Sequence, residues 1–406
     1  MLSIFKASFR VLLFALAAAT PAATADSPHQ WVAAWSAPPD QDGPAVSGKT
    51  IRQVVRPSIA GSSVRLRLSN LYGAAAVTIG PVRVAKHAGG SAIQSATDRA
   101  VTFGGEPTVT IARGAEVLSD PVAFPLAALE QVAISLYVVD GKVSTLHGVG
   151  WQTAYIASGE VTAGPKLENS ETDTSRYFLT DVEVAARADA RTVVVIGDSI
   201  TDGVGSSLDL NRRWPDKLAE RLQADPALAS IAVVNSGIAG NRMLNDASAP
   251  FVGPSILNRF ERDVLGKPNV RWIIVLTGSN DISASDMLAT PKDKVSAQQI
   301  IMGLQQLIAR AHAKGIKVYG ATLLPKAGVQ KPFVHTPESQ AKRDEVNAWI
   351  RSSGAFDAVV DFARLMGDAA RPDHLAQRYD SGDHLHPNDA GFAAMAAAID
   401  LRLLQN

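Results

Sequence analysis

The stretch from Thr192 to Ile200 reads Thr-Val-Val-Val-Ile-Gly-Asp-Ser-Ile, and it decides the fold of the second half of the chain. An unbroken β-branched run stopped by a glycine predicts a short strand buried on both faces, followed by a turn into a helix. Runs of the same type return at Ile231 to Asn235, Trp272 to Thr277, Ile316 to Ala321 and Ala358 to Asp361. Helical patterns lie between them. The clearest runs from Ala297 to Lys314, with Ile300, Ile301, Leu304, Leu307, Ile308 and Ala311 on one face and Gly315 as its C-terminal stop. Pro387, at a first helical position, is expected to open a last helix reaching about Leu404. Five buried strands alternating with helices predict an α/β fold. The expected form is a doubly wound parallel five-stranded sheet in a three-layer αβα sandwich, flavodoxin-like, over residues 191–406.

Upstream, the pattern changes. Between about residues 31 and 160 the apolar residues alternate with period two, as in Val64 to Ser69, Val77 to Val84, Val109 to Ile111 and Val132 to Val139. Turn signals separate these runs, at Gly61-Ser62-Ser63, Gly89-Gly90, Gly104-Gly105 and Asp140-Gly141. Short strands at this spacing predict an all-β sandwich or jelly-roll-like domain over 26–162. The polar stretch 163–176 predicts that 163–190 is a linker leading into the second domain. Residues 1–25 have the grammar of a signal peptide. Lys6 and Arg10 precede the apolar run Val11 to Ala19, and Ala23-Thr24-Ala25 is a small-x-small cleavage site. The expectation is an exported protein, secreted or periplasmic. No other stretch approaches the roughly 18 apolar residues of a membrane span.

Composition narrows the function. The 406 residues include 39 Lys+Arg, 39 Asp+Glu and no Cys. The even charge gives no footprint for nucleic acid. The absence of Cys excludes disulfides, thiolate metal sites and cysteine nucleophiles.

In a doubly wound sheet, sites lie beyond the carboxyl ends of the strands. Gly197-Asp198-Ser199-Ile200 follows the first strand, Ser236 to Asn241 the second and Gly278-Ser279-Asn280-Asp281 the third. Asp383-His384-Leu385-His386-Pro387 lies some 20 residues beyond the fifth. Together these supply a hydroxyl, a glycine amide, a side-chain amide and an Asp/His pair, the parts needed for acyl transfer through a serine. Ser199 needs a base; His386 supplies one, and Asp383 can fix its tautomer. The amides of Ser199 and Gly240 and the side chain of Asn280 are candidate oxyanion donors. Each motif has a plainer reading. Gly-Asp-Ser suits a strand-to-helix turn, Asp383 could cap the Pro-led helix, and His384 with His386 suits a metal. Asp198 and Asp202 are expected to hold the turn through backbone amides. Asn241 and Arg242 are candidate lining of the substrate cleft. His147 and His312 fall outside the site.

The four segments resemble the four blocks of the SGNH hydrolases, also called GDSL esterases and lipases, with Ile200 where the family name has Leu. The resemblance covers residues 192–404. It implies Ser199 as nucleophile, Gly240 and Asn280 in the oxyanion hole, and Asp383 and His386 completing the triad, with no metal or other cofactor. Trp31 to Trp35 and Val64 to Asn70 are similar to the front part of exported two-domain members. Trp31 and Trp35 either stack on sugar rings or pack in a strand docked on the hydrolase domain. The expected activity is a serine esterase on small-molecule or carbohydrate esters, with short acyl groups preferred. The alternatives are a lipase, arylesterase or thioesterase for longer acyl groups, or a carbohydrate-binding protein with an inactive hydrolase domain.

Overall fold

The computed structural model describes residues 29–246, 249–288, 290–330 and 335–405. The expected signal peptide, residues 1–25, lies outside them. In the second half, five parallel strands form one sheet: Arg191–Gly197, Ile231–Gly237, Val270–Leu276, Lys317–Ala321 and Ala358–Val360. The second strand lies at one edge beside the first, and the third, fourth and fifth follow on the other side. This order reverses direction at the first strand. Right-handed crossovers therefore place helices on both faces. Helix Trp214–Gln223 packs with Asp389–Ala398, and Ala297–His312 packs with Pro337–Ser352. Val193 to Ile196 are fully buried, as the apolar run demanded.

Register places the site. Gly197 is paired with both Gly237 and Leu276, so the three central strands end at one level. The segments that follow them must share one rim of the sheet.

Helix ends match their sequence signals except at the last helix. Ser296 caps Ala297–His312 in a capping box with Gln299, and Gly315 beyond it adopts a left-handed φ of 68°. Pro387 does not open the last helix. Asn388 is the cap, its side chain accepting from the Gly391 amide, and the helix is Asp389–Ala398, followed by a separate short turn Leu401–Leu404. Pro387 instead bridges to Asp380. A helix with an Asn cap available starts there, because the cap satisfies an amide that proline at the first position leaves unaddressed.

The first half is built from antiparallel sheets. Residues Val32, Leu66 and Val184 of one sheet and Ile51, Ile134 and Leu136 of another share a single core. Residues 163–190 are not a free linker. They hold strands Glu171–Asp173, Arg176–Tyr177 and Leu179–Arg187, the last lying between His29–Ser36 and Gly61–Ser69. Polar composition misled here, because exposed residues such as Glu168, Asn169 and Glu171 are followed by a stretch from Arg176 to Ala186 that is buried throughout.

The two halves are fused along the edge strand Ile231–Gly237. The Val233 amide donates to Ser58 Oγ at 2.9 Å, and Thr192 Oγ1 donates to the Ala33 carbonyl at 3.2 Å. An exposed strand edge invites aggregation, and the β region covers this one. Trp35 is buried in that region, while the Arg65 guanidinium stacks 4.3 Å from the Trp31 ring centre. His29–Ser36 is thus a docked strand, the packing alternative for its two tryptophans.

Lys267 carries a buried cation across this junction, bonded to Asp181 and to Ser36 Oγ (2.9 Å). Losing one partner of a buried pair strands the other charge. Lys267→Met should therefore lower unfolding stability by about 3 kcal/mol, the low end of the usual range, because Arg67 remains 3.9 Å from Asp181. Urea unfolding of the full chain measures this, and a loss below about 1 kcal/mol would contradict it.

Candidate active site

Ser199 opens a one-turn helix, Ser199–Asp202, directly after the first strand. Asp198 caps that helix by accepting from the Ile200 amide at 3.1 Å, the holding role expected of it. Gly203 ends the turn with a left-handed φ of 112°. The serine therefore sits where chain direction is fixed at both ends.

His386 Nε2 lies 2.9 Å from Ser199 Oγ, although 187 residues separate them. Its Nδ1 lies 2.5 Å from Asp383 Oδ2. The other oxygen of Asp383 accepts from the backbone amides of Leu385 (2.9 Å) and His386 (2.8 Å). Asp383 thus grips its own turn as well as the ring. Partial burial opposes its charge, but the bonds from the His386 ring and the two amides prevail and hold the carboxyl well below the usual range. It stays ionised and acceptor-only, so Nδ1 keeps its hydrogen and Nε2 is left to take the serine proton. Asp383 caps no helix. His384 turns away from His386, to Asp380 Oδ2 at 2.5 Å.

The glycine block forms the opposite lip. Gly240 has a φ of 75°, and a Cβ there would lie 2.5 Å from Val252 Cγ1. Only glycine fits on both counts. Among the described residues, the Ser199 and Gly240 amides find no acceptor within the chain. Asn280 Nδ2 donates to the Asn241 carbonyl at 3.0 Å, which leaves its second N–H for the cleft. Asp281 fixes the same loop by accepting from the Met243 (2.7 Å) and Leu244 (3.0 Å) amides.

Ser199, Gly240, Asn280 and His386 line one cleft of about 400 Å³. Its remaining wall is largely apolar: Val204, Val252, Phe251, Ala284, Met287 and Leu288. Phe251, at 56% exposure, stands at the rim with Met287 and Leu288. The sequence reading missed this wall, whose only signal was apolar side chains in the segments following the glycine and asparagine blocks.

Of the two expected cleft residues, Asn241 takes another place and Arg242 does line the cleft. Asn241 is fully buried and absent from the cleft lining. Its amide group donates to the Val252 and Pro254 carbonyls and accepts from Arg259. Arg242 does border the cleft, but its guanidinium is buried and bound to Asp293 at 2.6 Å and to the Asp246 carbonyl. A loop that must hold the Gly240 turn rigid has its own carbonyls to satisfy, and these side chains are used for that.

His147, expected outside the site, lies against Asp202 of the Ser199 helix. It is buried at 3% exposure, with Nε2 3.0 Å from Asp202 Oδ1 and Nδ1 3.6 Å from Asp40 Oδ2. Asp202 accepts from the Ala239 amide at 2.9 Å through its other oxygen. No local motif marks His147, because its partners lie 107 residues before it and 55 after it in sequence. His312 stays remote, bonded to Asp357.

Two outcomes are expected. Asn280→Asp keeps the shape but replaces the donor by an acceptor facing the Asn241 carbonyl; kcat on an activated ester should fall by about 10²–10³. The second concerns stability. Burial alone would push the His147 ring down, but Asp202 and Asp40 outweigh it and raise it from 6.5 to about 9. Burial likewise raises Asp40 from 3.8 to about 6. Both groups bind protons more tightly when folded. Their contributions are complete below the unfolded values and are lost as pH rises, through about 6 for Asp40 and about 9 for His147. The thermal midpoint should decline from pH 7 to 10, and His147→Gln should flatten that decline. An unchanged slope in the variant would exclude His147 as its source.

Residues 195–394 match the GDSL-like Lipase/Acylhydrolase family. The acetylxylan esterase of Xylanibacter ruminicola is 26% identical over 221 residues. That alignment covers 53% of this chain and 43% of the relative, so this chain spans under half the length of the curated protein it matches. A solved catalytic mutant of an acetylxylan esterase from Geobacillus stearothermophilus is 23% identical, over 52% of this chain and 93% of that one, with a TM-score of 0.39. The native aryl esterase of M. smegmatis is 17% identical, over 53% and 99% of the two chains, with a TM-score of 0.41. The cleft and the segments that form it fall within the matched span: residues 195–394 are a GDSL-like lipase/acylhydrolase domain of the SGNH type, preceded by an antiparallel β region.

Proposed function

We propose that this protein is an esterase that cleaves carboxylic esters through an acyl-serine at Ser199. The observation that carries the reading is the continuous chain Ser199 Oγ, His386 Nε2, His386 Nδ1, Asp383 Oδ2, at 2.9 and 2.5 Å, opening on a cleft. Ser199 Oγ attacks the ester carbonyl carbon while His386 Nε2 takes its proton. The carbonyl oxygen gains the charge, and the Ser199 and Gly240 amides and Asn280 Nδ2 receive it. The C–O bond to the alcohol breaks, and His386 returns the proton to the leaving oxygen. Water, deprotonated by the same ring, then releases the acid and restores Ser199.

Short-acyl esters of carbohydrates or small alcohols are the preferred substrates. The acetylxylan esterase relative supports this choice. A second reading has its own observation: the apolar wall of Phe251, Met287 and Leu288 suits a larger acyl or aryl group. The pattern from Lys6 to Ala25 supports export. No helix among the described residues is long and apolar enough to cross a membrane.

Initial rates on aryl esters from acetyl to palmitoyl, with acetylated oligosaccharides alongside, separate these readings. Ser199→Ala should lower kcat by on the order of 10³-fold or more and abolish the burst of released alcohol, with the fold intact. A maximum at acetyl supports the first substrate class, and one at longer acyl chains supports the second. Undiminished turnover by Ser199→Ala would sink the nucleophile assignment.

A further inference from the structure

The antiparallel β region reaches the loops behind the cleft through two buried side chains, His147 and Asp40. His147 ends strand Ser144–His147. Its Nδ1 lies 2.8 Å from the Pro38 carbonyl, and its Nε2 lies 3.1 Å from the Val149 carbonyl and 3.0 Å from Asp202 Oδ1. A carbonyl oxygen only accepts, so each ring nitrogen must carry a hydrogen. The ring is therefore an imidazolium, with Asp40 on one side and Asp202 on the other. Asp202 closes the nucleophile helix and holds the Ala239 amide. The next peptide unit carries the Gly240 N–H. Asp40 is itself anchored, accepting from the Gly148 amide with both oxygens (3.1 and 3.0 Å), and lies against Gly253 beside the Val252 wall.

We propose that His147 is a positioning residue of the active site: a buried cation supplied by the β region that orients Asp202 and, through it, the Ala239–Gly240 turn that presents an oxyanion donor. The proposal rests on the esterase reading. The β region then serves the reaction directly, as part of the scaffold of the oxyanion hole. No substrate contact is required of His147, since its effect passes through the carboxylate of Asp202. A displaced donor lowers the rate without weakening ground-state binding, because it acts on charge that forms only in the transition state.

The test uses the full chain, with wild type, Ser199→Ala, His147→Gln and Asp202→Asn assayed on one aryl acetate. In both His147→Gln and Asp202→Asn, kcat should fall by about 10²-fold, the effect of a misplaced catalytic group, while KM changes by no more than about three-fold. Inhibition by an alkylboronic acid, whose adduct on Ser199 places an oxygen among the oxyanion donors, should weaken by the same factor as kcat/KM. In the unsubstituted protein, ring 15N shifts of His147 should report two protonated nitrogens at pH 7, a measurement that needs no variant. A folded His147→Gln enzyme with kcat within about two-fold of wild type, or a singly protonated His147 ring, overturns the proposal. Undiminished activity in Ser199→Ala overturns the esterase reading instead, so the two failures are told apart.

Discussion

One buried guanidinium ties the parts of the site together. The Arg259 side chain is fully enclosed and donates to the Gly197 carbonyl, the Ser236 carbonyl, the Asn241 side chain and Asp263. The first three lie at the ends of the first and second strands and in the loop carrying Gly240, and Asp263 lies four residues beyond Arg259. Removing a guanidinium from water costs several kcal/mol unless its donors are matched, so the acceptors must stay in place. Asp263 completes the arrangement. Burial opposes its charge, but Arg262 and Arg259 outweigh this and hold the carboxyl at about 2. The strand that leads to Ser199 and the loop that carries Gly240 are thus held by one rigid fork of N–H groups.

The loops on the cleft side are held by the same principle. Each donor or acceptor is fixed by a second group outside the cleft lining: Asn280 by the Asn241 carbonyl, the Ala239–Gly240 turn by Asp202, His386 by Asp383. Preorganisation of this kind makes small differences in position matter to rate, since the donors need not reorganise when charge develops. It also explains why charged residues near the cleft, such as Arg242, are used up within the protein. The cleft itself is left with an apolar wall and few polar groups.

The β region and the α/β domain share surfaces that neither could leave bare. Ala33 of the docked strand packs within the α/β core, and Ala232 of the edge strand packs within the β core. Lys267 and Asp181 place a buried ion pair across the junction. Such contacts make separation of the halves costly, and they bring His147 within reach of Asp202.

Much of this was legible in the sequence. Uninterrupted β-branched runs such as Thr192 to Ile196 specify strands buried on both faces, and period-two alternation such as Val64 to Ser69 specifies strands with one buried face. Ser199, Gly240, Asn280, Asp383 and His386 could be named because each follows a strand or closes a local turn, and local chemistry marks them. What failed had no local mark. The 163–190 segment reads as polar, yet Leu179–Arg187 finds its partners more than a hundred residues away, in Gly61–Ser69 and His29–Ser36. Asn241 reads as a cleft residue, yet the Val252 and Pro254 carbonyls claimed its side chain. His147 reads as an isolated histidine until the fold sets it between Asp40 and Asp202. The sequence by itself determined the class of both halves, most of their strands and helices, and the candidate reactive groups, because propensity and turn chemistry act over a few residues. Only the tertiary structure decided which polar groups were spent inside the protein and which face the cleft, because burying a charge or a backbone carbonyl forces it to find a partner wherever the chain provides one.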